Sequence, residues 1–280
     1  MREIKAEEIR DIIAEAVINA NIRLPEDIKE ALKKARMNET EKRAQKILDI
    51  ILKNADMALS ERMPLCQDTG MVVVELKIGQ NVHITGKSLE EAVNEGIREG
   101  YRKGYFRNSV VYDPLIRRNT GDNTPGIVHI EVVPGENVEI NVFPKGAGSE
   151  NMGRLAMLKP SDGIEGVKKF VLNTVKEAGA NPCPPVIVGV GIGGNMEKAA
   201  YLAKKALMRP LDERNRREDI AKLEEELLEM INALGIGPQG LGGKTTALAV
   251  NIEVYPTHIA SLPVAVNLGC HATRRVKIIL

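Results

Sequence analysis

Tryptophan is absent from this 280-residue chain, and aromatic residues make up only 3% of it. So few rings argue against the stacking platforms on which single-stranded nucleic acid is held, and they leave the core to Ile, Leu, Val, Ala and Met. Charge of one sign is lacking too. The 39 Lys and Arg residues against 38 Asp and Glu give a formal net charge of +1, too small a field to draw a polyanion or an acidic membrane surface. Any ligand must therefore be recognised locally. No apolar run approaches the roughly 18 residues of a transmembrane helix, and the opening "MREIKAEEIR" has no apolar signal core. The expectation is a cytoplasmic chain with neither a membrane nor a nucleic acid as partner. Cysteine is scarce, at positions 66, 183 and 270. An odd, widely spaced set argues against a disulfide framework and for reduced thiols. Taken without context, each would be a buried apolar side chain.

Periodicity, by contrast, is strong. Over the first sixty residues "AEEIRDIIAEAVINANI", "PEDIKEALKKARM" and "ETEKRAQKILDIILKNADMALSE" repeat apolar residues at steps of three and four, the mark of amphipathic helices. Asn38 is placed to cap the third. Glycine and proline are nearly missing there, so a helical layer over 1–62 precedes an abrupt change of character at Pro64. "MVVVELKIG" is a β-branched run of strand length, and Ser88 with Glu91 forms a capping box that opens a helix at Leu89. "IVHIEVV" and "VEINVF", joined through Pro134-Gly135-Glu136-Asn137, read as a hairpin. Then come a helix near 163–179, the strand "PVIVGVGIGG", a helix from Asn195 to about Leu207, and the charged helix "ERNRREDIAKLEEELLEMINAL". Three strand-like runs, "TTALAVNIEVY", "PVAVNLG" and "RRVKIIL", end the chain. No internal repeat and no low-complexity linker is visible. The expected fold is α/β, of the mixed α+β kind: one domain over 1–280, with the helical layer 1–62 packed on a mixed β-sheet region, 63–280, that carries flanking helices. The bare apolar ending "VKIIL" is unusual for a terminus. Either a central strand closes the sheet there, or another polypeptide covers it.

Two glycine-rich motifs resemble nucleotide sites. "GVGIGG", 189–194, fits G-x-G-x-x-G after a strand and before a helix. The second strand and its ribose-binding acid should follow about 20 residues on, yet that region is the charged, helical "KKALMRPLDERNRRED". Close backbone packing explains these glycines better. "GPQGLGGKTT" resembles a phosphate loop, with Gly243, Lys244 and Thr245 in place, but Pro238 stands where the first glycine belongs. Its flanking order, helix before and strand after, reverses the arrangement that aims a helix N-terminus at a phosphate. Lys244 on this turn remains a candidate anion contact.

The cysteines sit in "PLCQDTG", "NPCPP" and "LGCHATRR", none of them helical. Cys183 lies between prolines that fix its direction, and polar neighbours follow Cys66 and Cys270, which is poor company for core packing. Thiolates select soft metals, zinc and iron–sulfur centres above all. Structural zinc wants four ligands, commonly in C-x₂₋₄-C pairs, and no such pair exists here. A cubane held by three cysteines would leave one iron without a protein ligand, able to act as a Lewis acid on a substrate oxygen. That use calls for anion clamps, for which Arg107, Lys145, Lys244 and Arg274-Arg275 are candidates; each alone would be an ordinary surface charge.

With these motifs in view, the chain resembles the α subunit of class I, iron–sulfur fumarate hydratases and of the closely similar L-tartrate dehydratases. The resemblance covers nearly the whole chain, through "PLCQDTG", the "FRNS…DPL…NTGDNTP" segment from Phe106 to Pro125, "KGAGSEN", "NPCPP", "QGLGGKTTA" and "GCHATRR", in the family's order. It implies a [4Fe-4S] cluster bound by Cys66, Cys183 and Cys270, and substrate contacts at Gln67, Asp68, Arg107, Gly148 and His258. The family's glycine triplet is here Gly146-Ala147-Gly148. Single-chain members continue past the third cysteine into a second domain with further carboxylate-binding residues, whereas ten residues follow Cys270 here. The resemblance therefore implies a separate β subunit, which would also cover the apolar ending.

The reaction so implied is reversible hydration of fumarate to L-malate, with L-tartrate dehydration to oxaloacetate as the alternative. Asp68 and His258 are this chain's acid–base candidates, unless the base lies on the β subunit. Gln67, Arg107, Lys145, Gly148 and Lys244 are the substrate-binding set for a small dicarboxylate. An Asx turn is the structural alternative for Asp68, and a hydrogen-bonded core histidine that for His258. His83 and His129 read as structural, and His271 as a neighbour of the cluster. Two other classes remain: an iron–sulfur sensor without turnover, which would need no anion clamp, and a purely structural subunit with inert thiols.

Overall fold

A computed structural model describes all 280 residues. In chain order its elements are β1 (Arg2–Lys5), α1 (Ala6–Ile22), α2 (Glu26–Asn38), α3 (Lys42–Ser60), β2 (Met71–Gly79), β3 (Val82–Thr85), α4 (Leu89–Lys103), β4 (Ile127–Val133), β5 (Val138–Lys145), the single turn α5 (Ala147–Glu150), β6 (Arg154–Leu158), α6 (Gly163–Ala178), β7 (Val186–Gly194), α7 (Met196–Ala206), α8 (Glu218–Asn232), β8 (Ala247–Thr257), β9 (Leu262–Gly269) and β10 (Val276–Ile279). The fold is mixed α/β, as the periodicities predict. No helix is long and apolar enough to cross a membrane.

Helix limits follow their end groups. Ser88 Oγ accepts the Glu91 N–H at 3.3 Å and Asn195 Oδ1 the Lys198 N–H at 3.0 Å, opening α4 and α7. The expectation for Asn38 is corrected: it is the last residue of α2. Glu39 does the work instead, its Oε1 accepting the N–H groups of Thr40 and Glu41 ahead of α3. A longer carboxylate side chain reaches two donors that Asn38, still in helical conformation, cannot.

The chain forms two compact units. The first comprises Met1–Pro25, Asn54–Ala147 and Arg274–Leu280; the second comprises Glu26–Lys53 and Gly148–Thr273. In the first, β1 and β3 pair in parallel, and a four-stranded sheet has the order β10-β5-β2-β4. Val72, Val74 and Leu76 of β2 are fully buried in a cluster with Ile9, Ile13 and Val17 of α1 and Val93 and Ile97 of α4. The second unit's sheet has the order β6-β9-β7-β8. Val186, Val188 and Val190 of β7 share a core with α6 and α8. The opposite face carries Gly189 and Gly191, where a Cβ would stand 2.2 Å from Ala203 O and 2.1 Å from Ala199 O of α7. Close helix-on-strand packing is thus the use of "GVGIGG", as the sequence suggests.

Two strand expectations need correction. β4 and β5 do not pair with each other: β2 lies between them, parallel to β4 and antiparallel to β5. Their connection instead crosses the end of β2, where Gln80 N donates to Val133 O at 2.7 Å and Gly79 N to Asn137 O at 2.9 Å. A strand apolar on both faces takes the centre, and the half-exposed "IVHIEVV" is displaced to the edge. The chain end is not a central strand either. β10 is an edge strand on β5, closed by Leu280 N to Val138 O at 2.8 Å.

Although no repeat is visible in the sequence, the two sheets share one topology. A central strand, β2 or β7, has a parallel neighbour on one side, β4 or β8. The next strand in sequence, β5 or β9, lies antiparallel on the other side. A further antiparallel strand, β10 or β6, flanks that one.

Candidate functional site

The "PLCQDTG" loop enters β2 of the first unit at its N-terminal end, and groups of Leu65, Asp68, Thr69 and Gly70 are tied down. Leu65 N donates to Asn21 O at 2.8 Å. Asp68 Oδ1 accepts the Gly70 N–H at 3.0 Å, forming the Asx turn, and Oδ2 accepts the Ala147 N–H at 2.8 Å. Thr69 Oγ1 donates to Arg107 O at 2.9 Å. The Tyr101 hydroxyl donates to Thr69 O at 2.6 Å and lies 2.9 Å from Gly70 O, which also accepts from Asn123 Nδ2 at 3.0 Å. Gly70 has φ +76°, and a Cβ there would lie 2.5 Å from the Lys145 carbonyl, so only glycine lets the two segments meet. Burial pushes the Tyr101 phenol up to about 12, against the opposing pull of Arg274.

This unit therefore brings Cys66, Gln67, Asp68, Arg107 and Lys145 into one hydrogen-bonded assembly. The side chains of Gln67 and Arg107 are exposed and Cys66 is half-buried. Lys145 is buried. Arg274 proves different from the anion clamp suggested by its charge. It is 3% exposed, and its Nη1 donates to Asp68 O at 2.9 Å and to Asn21 Oδ1 at 3.1 Å, so it braces the loop from beneath.

In the second unit Cys183 and Cys270 lie at the same end of the sheet. Cys183 stands three residues before β7, and Cys270 follows Gly269, the partner of Ile187. Cys183 has φ +56° between its two prolines, a conformation that turns its side chain out to solvent. His271 joins the two loops: its Nδ1 lies 3.0 Å from Cys183 O and 3.1 Å from Gln239 Nε2. Gln239 adds two bonds to Pro184 O, from N at 2.8 Å and from Nε2 at 2.9 Å. Burial holds the His271 imidazole below the usual histidine range, with Cys183 O pulling the other way.

Lys244 is exposed just ahead of β8, at this same end. Its N–H donates to Glu39 Oε2 at 2.7 Å. Burial raises the Glu39 carboxyl, but the N–H groups of Glu41, Lys244 and Thr40 outweigh it and leave the group below its ordinary value. Glu39 and Gln239 are the positions that sequence reasoning misses. Glu39 is separated from Lys244 by 205 residues, and nothing local marks the pair.

His258 is not brought to this end. It follows Thr257, which pairs with Gly194 at the far end of β7, whereas Val186 at the near end pairs with Ala247. Strand β8 runs eleven residues between the two ends, roughly 35 Å at strand rise. The side chain is exposed, and its Nδ1 accepts the Ala260 N–H at 3.2 Å. Gly148 is also exposed, with Asn181 O 3.8 Å from where its Cβ would stand.

No group of three or more His, Cys, Asp or Glu side chains is gathered to hold a single metal ion. A cubane differs in taking each thiolate on a separate iron. The donor chemistry fits such a group: none of the three cysteines is in a disulfide, none lies in the apolar core, and each sits on a loop at the start or end of a central strand pair.

Comparison with known proteins covers nearly the whole chain. The family model described as fumarate hydratase (fumerase) matches residues 10–279. A Methanocaldococcus jannaschii protein named "Putative L(+)-tartrate dehydratase subunit alpha" is 48% identical over 274 residues, covering 95% of each chain. The L(+)-tartrate dehydratase subunit alpha of Escherichia coli strain UTI89 is 35% identical over 270 residues, covering 95% of this chain and 89% of its own; that of strain K12 is 34% identical over the same span. The chain belongs to the fumarate hydratase (fumerase) family, among hydro-lyases whose relatives here carry the name of α subunits.

Proposed function

We propose that this chain is the α subunit of a two-subunit, [4Fe-4S]-dependent hydro-lyase that interconverts fumarate and L-malate. The observation that carries the reading is the backbone coupling of Arg107 and Lys145 to the Cys66–Gly70 loop: Thr69 Oγ1 donates to Arg107 O, and Gly70 packs on the Lys145 carbonyl. A sensor or a structural subunit has no use for two cationic residues tied to a cysteine loop. Cys66, Cys183 and Cys270 would hold the cluster, an assignment resting on the family motifs and on the thiol chemistry above. When bound, the cluster supplies an iron that polarises the C2 hydroxyl as a leaving group.

The remaining work falls to side chains. Arg107 takes one substrate carboxylate through a two-pronged pair of N–H donors, fixing the carbon skeleton. The Gln67 amide orients the substrate without adding charge, and Lys145 and Lys244 offset the second carboxylate, with the bare Gly148 backbone as a further contact. In the dehydration direction the C3–H proton passes to a base, its bonding pair forms the C2=C3 double bond, and the C2–O bond breaks to release hydroxide, which takes up a proton from solvent and leaves as water. Asp68 is the base proposed from this chain, its carboxylate plane fixed by the Gly70 and Ala147 N–H groups. His258 is not proposed for this step, because it stands at the opposite end of its sheet from Cys183 and Cys270. The β subunit implied by the relatives' names would supply what is missing.

A second reading, L-tartrate dehydration to oxaloacetate, is favoured by those same names. Anaerobic co-purification with the β subunit, followed by assays on L-malate and L-tartrate, tests both. Turnover of L-malate supports the first reading and turnover of L-tartrate alone the second. A cluster-loaded complex that converts neither would refute the hydro-lyase assignment.

A further inference from the structure

Four strands form the outer edges of the two four-stranded sheets, and three of them are blunted. β10 is four residues long and carries Lys277; β6 is five residues long and starts at Arg154; β8 contains Pro256 and breaks register twice against β7. Short length, cationic side chains, proline and irregular register are the usual means of keeping an edge from pairing with another chain. β4 has none of them. It runs seven residues, "IVHIEVV", in unbroken register with β2, and its other edge carries no strand. Two of its apolar side chains are largely in solvent, Ile130 at 56% exposure and Val132 at 69%. Residues 128, 130 and 132 share one face, continuing the apolar row of Val74, Leu76 and Ile78 outward beyond β2.

We infer that the β4 edge is an interface between two copies of this chain, paired antiparallel about a two-fold axis at Ile130 to join two four-stranded sheets into one. The sequence of the strand is complementary to itself in that register alone. Ile130 faces its own copy, Val128 faces Val132, and on the other face His129 stands opposite Glu131, twice by symmetry. Sliding the pairing by two residues sets Glu131 against Glu131 or His129 against His129. Sliding it by one puts the apolar row against the polar one. A partner subunit of different sequence would leave this self-complementarity without purpose, and the inference does not depend on the reaction assigned above.

Sedimentation velocity of the full chain from about 1 to about 100 μM, alone and with its partner subunit, tests the inference. The expected result is association of the chain with itself in both preparations, together with slow amide exchange over 127–133. Ile130→Lys sets two ammonium groups face to face and is expected to raise the dissociation constant roughly 100-fold. Should that variant fold poorly, His129→Glu on the solvated face serves: it opposes two acids to Glu131 and weakens the dimer, and adding Glu131→Lys in the same chain restores it. A full chain monomeric at the highest concentration, or β4 protection that appears only with the partner subunit, would overturn the inference. So would folded variants that leave the dimer intact, or a charge reversal that fails to restore it.

Discussion

Replacing Tyr101 by Phe removes one oxygen atom from beneath the Cys66 loop, and the consequence changes sign with pH. Tyr101 is 1% exposed and its ring meets Phe106 edge-on at 5.7 Å, a contact the substitution keeps. What goes is the hydroxyl donor to Thr69 O at 2.6 Å; Gly70 O keeps its bond from Asn123. One buried carbonyl left without this donor costs about 1–2 kcal/mol at pH 8. The phenol is held at about 12, against an ordinary 10, first because burial penalises the phenolate. A raised acid keeps its proton in the folded chain while the unfolded chain loses it, so the wild type loses stability as pH climbs from 10 to 12. That loss is about 1.4 kcal/mol by pH 11 and about 2.3 kcal/mol by pH 12. Other groups titrate in this range in both proteins and cancel in the difference. Guanidinium denaturation followed by circular dichroism at pH 8, 10 and 11 should show the Phe variant less stable at pH 8 and nearly equal by pH 11. A difference that stays constant across the series would refute the buried, doubly placed phenol.

Converting Arg107 to Ala in the assembled enzyme should lower kcat/KM by roughly 10²–10³ with iron content intact, and Arg107→Lys should not restore it. Cys183→Ser should lose iron and acid-labile sulfide in elemental analysis, while the cluster-free proteins, compared with each other, should melt nearly alike because the side chain is exposed. Gly189→Ala sets a Cβ 2.2 Å from Ala203 O and should destabilise the second unit by roughly 3 kcal/mol, seen as a lowered denaturation midpoint. Burial alone would raise the Glu139 carboxyl, but Lys77, Lys277 and Asn141 hold it at about 2. Its contribution is therefore present above about pH 4.5 and lost as pH falls toward 2, so acid titration should separate the wild type from Glu139→Gln at high pH and bring them together at low pH.

Local periodicity made most elements legible. The span of α1 follows from "AEEIRDIIAEAVINANI" alone, and β2 from "MVVVELKIG", because one-sided and two-sided apolar patterns are written within the segments that use them. What was not legible is pairing. The turn residues 134–137 predict β4 beside β5, yet the choice of neighbour belongs to β2, sixty residues earlier and more apolar. The same holds for the site. The loop bearing Cys66, Gln67 and Asp68 announces itself by its residue types, but its supports do not: Arg274 hydrogen-bonds across 206 positions to Asp68, and Glu39 across 205 to Lys244. His258 shows the opposite failure, since a motif fixes its order in the chain and not the end of the strand on which it falls.

The shared topology places the three thiols at corresponding points of the two units. In each unit the chain enters the central strand from a loop bearing one cysteine, Cys66 before β2 and Cys183 before β7. In the second unit another cysteine follows the antiparallel neighbour, because β9 ends at Gly269 opposite Ile187 and Cys270 comes next. The equivalent place in the first unit follows Lys145, which ends β5 opposite Met71, and it is Gly146. A Cβ there would stand 3.1 Å from Asp68 Oδ2 and 3.5 Å from Arg274 Nη2. The Asp68 carboxylate therefore sits tightly against this position, with the Arg274 guanidinium in ordinary contact beyond it. The first unit thus carries Cys66 with Arg107 and Lys145, and the second carries Cys183 and Cys270 with Lys244. A side chain at 146 would press on the same carboxylate oxygen that accepts the Ala147 N–H, so glycine at this position suits the way Asp68 is held.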